Sequence, residues 1–145
     1  MKWIFKLKLN SDGSVARHKV RLVAKGFLQN VGVDYKEIFA PVAKIETIRL
    51  IMALASQRNW SVYHLDVKSA FLNGSLNEDV YVTQPPGFEI KRKEKLVYKL
   101  NKALYGLKHA PRCWNQKINS FLIKHRFKQC TVEYGVYYKK RFDSS

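Results

Sequence analysis

Alternating apolar and polar side chains open the chain. Residues 3–9, Trp3-Ile4-Phe5-Lys6-Leu7-Lys8-Leu9, alternate well enough for a strand. Asn10-Ser11-Asp12-Gly13-Ser14 is turn chemistry, and residues 15–25 return as a second strand, so residues 3–25 read as a hairpin. Neighbouring strand side chains face opposite ways, which puts Lys19 and Arg21 on one face, with Lys25 in phase, and Val20 and Leu22 on the other. Residues 26–41 read as a loop anchored by Phe27, Tyr35 and Phe39.

The period then changes. In residues 44–59, Ile45, Ile48, Met52 and Ala55 recur at helical spacing, widened by Leu50, Ile51 and Leu54. Most of that helix is expected in the core. Residues 62–67 predict a strand with Val62, His64 and Asp66 on one face and Tyr63, Leu65 and Val67 on the other. Residues 69–73 predict a short helical turn ended by Gly74. Residues 80–83 predict a strand stopped by Gln84-Pro85-Pro86-Gly87, and residues 96–100 another, after a charged loop. Pro111 suits the first turn of a helix whose one face carries Trp114, Ile118, Phe121, Leu122 and His125. Residues 131–139 predict a last strand. Strands and helices interleave without a βαβ rhythm, so the expected class is α+β, in one domain or a piece of one.

Composition adds a large charge imbalance. The 145 residues hold 27 Lys and Arg against 11 Asp and Glu, a net charge of +16. Such a field attracts polyanions, and because the cations are spread along the chain they predict a broad phosphate-tracking surface. The hydrophobic fraction of 46% argues against a disordered tail. No apolar run reaches the roughly 18 residues of a membrane span, and residues 1–6 hold no long apolar stretch of the secretory kind. Cys113 and Cys130 are too few for a disulfide framework and lack zinc-ligand spacing. Free buried thiols in an intracellular compartment, cytoplasmic or nuclear, are expected.

Asp66 is the leading candidate for chemistry. It stands at the end of an apolar run, in Tyr63-His64-Leu65-Asp66-Val67-Lys68-Ser69-Ala70-Phe71-Leu72-Asn73-Gly74. A strand-end aspartate is often only a turn or cap residue. It is also where phosphoryl-transfer chemistry would place a ligand for Mg²⁺, because hard cations take carboxylate oxygen and two such ions can clamp attacking and leaving oxygens. That arrangement needs a second acidic cluster. Beyond Asp66 the sequence holds Glu78, Asp79, Glu89, Glu94, Glu133 and Asp143, none in an apolar strand–turn–strand setting. Leu104-Tyr105-Gly106-Leu107-Lys108-His109-Ala110-Pro111-Arg112 could bring backbone to a nucleotide at a helix start, although taken alone an ordinary loop-to-helix junction is the better reading. No serine or cysteine is placed for a nucleophilic triad with His64.

Taken together, Lys19-Val20-Arg21-Leu22-Val23-Ala24-Lys25-Gly26-Phe27, Phe39-Ala40-Pro41-Val42-Ala43-Lys44, Leu65-Asp66-Val67-Lys68-Ser69-Ala70-Phe71-Leu72-Asn73-Gly74, Gln84-Pro85-Pro86-Gly87-Phe88 and residues 102–112 resemble the reverse transcriptase of Ty1/copia-type LTR retrotransposons. The match runs in unbroken order from about residue 2 to 140. The resemblance implies fingers (about 1–60) and part of the palm (about 61–140, with an interleaved fingers part) of a right-hand polymerase. It implies template-directed attack of a primer 3′-hydroxyl on a deoxynucleotide, with two Mg²⁺ ions and an RNA or DNA template-primer. Asp66 matches the first palm aspartate, and the Val67 carbonyl the neighbouring metal contact. Phe71 falls where an aromatic ring excludes a ribose 2′-hydroxyl. Tyr105 and Gly106 fall along nucleotide and template. Lys19 or Arg21 reaches the triphosphate, and Lys25, Lys108 and Arg112 are candidate nucleic-acid contacts. The family's Tyr-Val-Asp-Asp hairpin is not among the 145 residues. The expectations are therefore no measurable polymerisation by this chain alone, marginal stability and self-association. The alternative is a catalytically dead, basic nucleic-acid-binding module.

Overall fold

A computed structural model describes residues 1–140 of the chain. The predicted hairpin is its most extensive pairing. Strands β1 (Lys2–Leu9) and β2 (Val15–Val23) run antiparallel, with Lys6 opposite Lys19 and Ile4 opposite Arg21. Local chemistry closes the turn. The Asp12 carboxylate accepts from the Ser14 backbone N–H (2.9 Å) and hydroxyl (2.7 Å), and Gly13 takes a φ of 84°. The register gives the hairpin a cationic face of Lys6, Lys8, Arg17, Lys19 and Arg21, and an apolar face of Trp3, Phe5, Leu7, Val20 and Leu22.

Helix α1 spans Ile45–Gln57 and helix α2 spans Ala110–Lys124, with proline in the first turn of α2 as the sequence predicts. Two further hairpins are short. Strand β3 (Tyr81–Thr83) pairs with β4 (Val97–Lys99), and β5 (Lys128–Gln129) with β6 (Tyr137–Tyr138). Each of the three described sheets is two-stranded, so the class is mixed, as expected. The core is small and sits at the start of α2. Ala24, Val80, Ala103, Leu107, Ala110 and Cys113 are buried there, with Phe71, Leu76, Leu100 and Leu104 packed on them.

Three expectations are corrected. Residues 62–67 form no strand: the segment has no regular secondary structure and pairs with nothing among the described residues, and Tyr63 and Leu65 stay 82% and 85% exposed. Strand-like alternation needs a neighbouring strand to complete its hydrogen bonds, and no strand among the described residues pairs with it. The last strand shrinks from residues 131–139 to Tyr137–Tyr138, because residues 131–136 turn back on themselves (Val136 N–H to Glu133 O, 2.9 Å). Finally, α1 is helical but not core. Only Ala55 is buried, while Leu50, Ile51, Met52 and Leu54 remain exposed, since no described element packs extensively along the stripe. Helical period determines which side chains share a face; it cannot supply the surface that covers them.

Both cysteines are free. Cys113 is buried, which pushes its thiol pKa up, and Cys130 is half-buried. No described helix is long and apolar enough to cross a membrane.

Candidate nucleotide and nucleic-acid site

The site starts at a crossing of two backbones. The Ala24 N–H donates to the Tyr105 carbonyl at 2.7 Å, just where β2 ends. Gly26 and Gly106 make this approach possible. A Cβ on Gly26 would overlap the Gly106 carbonyl, and one on Gly106 would overlap the Ala24 carbonyl and the Val23 side chain. Gly106 also has a φ of 89°, a conformation that costs an L side chain about 1–2 kcal/mol.

The crossing aligns side chains from three segments. The Arg21 guanidinium lies 5.3 Å from the Tyr105 ring centre. Phe71 meets the same ring at 5.7 Å between centroids, tilted by 60°. The turn Ala70–Asn73 positions Phe71. Its preceding residue, Ser69, is left-handed (φ 55°), and the Ser69 carbonyl accepts from Leu72 N–H (3.0 Å) and Asn73 Nδ2 (3.2 Å). The arrangement is a cation, a phenol ring and a phenyl ring in sequence, half-buried over the core.

Asp66 lies on the exposed segment before that turn and has no hydrogen bond or ion pair among the described residues. It does not act as a cap or turn ligand. Its charge is felt at Lys19. The Lys19 pKa is lowered, first by Arg21, then by desolvation, Lys8 and Arg17, and Asp66 opposes these. Val67 is likewise exposed, and its carbonyl accepts no backbone hydrogen bond among the described residues.

The remaining predicted cations go elsewhere. Lys25 is exposed. The Lys108 ammonium donates to the Tyr35 hydroxyl (3.2 Å) and the Gln29 carbonyl (3.4 Å), and lies over the Tyr35 ring at 5.3 Å. Arg112 pairs with Glu37 at 2.7 Å. These two thus tie α2 and its approach to the 29–37 loop, away from the Arg21–Tyr105–Phe71 row. A cavity of about 270 Å³ lined by Ala24, Lys25, Asp34, Val80 and Leu107 also does not include Asp66.

Sequence reasoning missed His109. It is 2% exposed, stacks on Tyr35 (6.1 Å, 17°), and neither ring nitrogen has a partner. Burial lowers its pKa, against the pull of Glu78 and Asp34 and helped by Arg112. Its place just before the Pro111 turn carried no signal for this.

A pair of Mg²⁺ ions demands several hard oxygen donors around one point. Among the described residues, no three His, Cys, Asp or Glu side chains converge as a metal group would require. Asp66 supplies one open carboxylate, so the described residues do not fit a complete two-metal centre. Asp143 lies outside them.

Comparison with known proteins agrees with the motif pattern. Residues 1–144 match the family described as reverse transcriptase (RNA-dependent DNA polymerase), and the chain belongs to that family. Within it, the chain is of the Ty1/copia type. It is 48% identical over 139 residues to the retrovirus-related Pol polyprotein from transposon TNT 1-94 of Nicotiana tabacum, covering 96% of this chain and 10% of that protein. It is 52% identical over 122 residues to the corresponding polyprotein from transposon RE1 of Arabidopsis thaliana (84% and 8%), and 32% identical over 116 residues to the transposon Ty1-BL Gag-Pol polyprotein of Saccharomyces cerevisiae (80% and 6%). The chain therefore spans about a tenth or less of the length of these relatives. No solved structure matches it.

Proposed function

We propose that this chain is the nucleotide- and template-holding front part of a retrotransposon RNA-directed DNA polymerase, with fingers in about residues 1–60 and palm in about 61–140. The carrying observation is the row Arg21, Tyr105 and Phe71, assembled from three separated family motifs beside the cationic hairpin face. Arg21 and Lys19 neutralise the triphosphate of a deoxynucleotide. The Tyr105–Phe71 pair gives a flat surface along the sugar and template, and the Phe71 ring excludes a 2′-hydroxyl by bulk. Lys25, Lys108 and Arg112 contact phosphates of the template-primer. The Arg112–Glu37 pair is a partly exposed ion pair of the kind that exchanges readily for phosphate.

Phosphoryl transfer depends mainly on positioning and charge stabilisation. With no acidic cluster converging on the Asp66 carboxylate among the described residues, the chain binds and orients but does not polymerise alone. Primer extension with Mg²⁺ or Mn²⁺ tests this; robust extension by the chain, abolished in Asp66→Asn, overturns it. Binding to a primer–template duplex tests the holding role. The expected log–log salt slope is steep, and Lys25→Gln/Arg112→Gln should flatten it by nearly one unit per lost phosphate contact.

A further inference from the structure

The connection between β3 and β4 carries charge that the site above does not use. Lys91, Arg92, Lys93 and Lys95 are all exposed. The ion pairs among the described residues, Lys99 with Asp79 and Arg112 with Glu37, involve none of them. The acids of the same loop are exposed too, but each bonds the loop's own backbone. Glu94 Oε1 accepts from the Arg92 backbone N–H at 2.8 Å, and Glu89 Oε2 from the Gly87 N–H at 2.9 Å. Neither carboxylate forms an ion pair with the four exposed cations.

The loop is also held in shape. Gln84 is buried, donates to the Lys93 (2.7 Å) and Leu96 (3.2 Å) carbonyls, and accepts from the Ile90 N–H (2.9 Å). Arg92 takes a left-handed φ of 64°, uncommon for a residue with a side chain. A buried amide and a left-handed arginine thus fix a cationic turn that an unconstrained solvated loop would not need.

Aromatic surface adjoins it. Phe88, in the same connection, is 68% exposed and meets Trp3 at 5.8 Å. The Trp3 indole N–H donates to the Pro86 carbonyl at 2.9 Å, and Phe5, on the Trp3 face of the hairpin, is 71% exposed. This is the hairpin face opposite Lys19 and Arg21. Fixed cations beside open aromatic rings suit a ligand with both phosphates and flat faces. A duplex offers phosphates but keeps its bases stacked inside; a single strand offers both.

We infer that Phe88 and Phe5, with Lys91, Arg92, Lys93 and Lys95, form a second binding surface, for single-stranded RNA or DNA, on the opposite hairpin face from the nucleotide site. The inference rests on reading the chain as a nucleic-acid binder. The test titrates the full 145-residue chain with a uridine oligonucleotide of about twelve nucleotides and, in parallel, with a primer–template duplex. Circular dichroism checks that each variant folds. Phe5→Ala and Phe88→Ala should each weaken oligonucleotide binding by about five-fold or more. Replacing Lys91, Arg92, Lys93 and Lys95 together by Gln should flatten the single-strand salt slope by about two to three units. Lys25→Gln/Arg112→Gln should weaken duplex binding and leave the oligonucleotide bound. Unchanged oligonucleotide affinity in Phe88→Ala, or an unchanged slope in the loop variant, overturns this surface and leaves the proposed function standing. Failure of the unaltered chain to bind either probe overturns both.

Discussion

The guanidinium of Arg21 stands 5.3 Å from the centre of the Tyr105 ring, joining the end of the first hairpin to the segment before α2. The contact depends on the backbone crossing beneath it, where Ala24 and Tyr105 share a hydrogen bond. A double-mutant cycle with Arg21→Gln and Tyr105→Leu should give a coupling of about 0.5–1 kcal/mol, the range for a cation over an aromatic ring near the surface. Urea unfolding of the four proteins measures it, and strictly additive losses would show that the two side chains act independently.

Gly106→Ala should be among the more damaging single changes. The new methyl would meet the Ala24 carbonyl and Val23 side chain, in a backbone conformation that disfavours any L side chain. Overpacking and the positive φ together predict a loss of about 2–4 kcal/mol. A denaturation midpoint within error of the unaltered protein would contradict this crossing.

Asp66→Asn should leave stability within about 0.5 kcal/mol, because the carboxylate is exposed and makes no hydrogen bond or ion pair among the described residues. A turn or cap aspartate would instead cost about 1 kcal/mol or more on losing its hydrogen bond. Thermal unfolding of the two proteins separates these cases. Neutral stability would exclude a capping or turn role for Asp66.

His109 links stability to pH. Burial depresses its folded pKa below the ordinary value of 6.5, so the unfolded chain takes up a proton that the folded chain resists. Stability is therefore fully present above about pH 6.5 and falls as pH drops from there through the lower folded pKa. His109→Phe should flatten this acid limb of the urea midpoint between about pH 7 and pH 5. An equally steep limb in the variant would place the proton uptake elsewhere.

Glu133 should stabilise α1 from a distance. Its Oε2 accepts from the Thr47 hydroxyl (3.1 Å) and, more weakly, the Lys44 N–H (3.5 Å), where the helix has no capping side chain of its own. A carboxylate there also suits the positive end of the helix. Glu133→Ala should cost about 1 kcal/mol. Hydrogen exchange should show the protection loss concentrated in the first turns of α1; a uniform loss or none would assign Glu133 no such role.

Spacing along the chain was enough wherever the physics is local. The β1–β2 hairpin follows from alternation and the Asp12-Gly13 turn, the Ala70–Asn73 turn from its stop at Gly74, and the start of α2 from Pro111. The motifs also carried the family and the identities of Asp66, Phe71, Tyr105 and Arg21 as candidates. Residues 62–67 have strand composition yet stay unpaired, and the α1 stripe has helical period yet stays exposed, because pairing and burial belong to two surfaces and a pattern describes one. The same reason hid His109 under Tyr35, the stacking of Arg21 on Tyr105, and the commitment of Lys108 and Arg112 to the 29–37 loop. Each depends on segments far apart in the chain meeting within a few ångströms, and only folding brings them there.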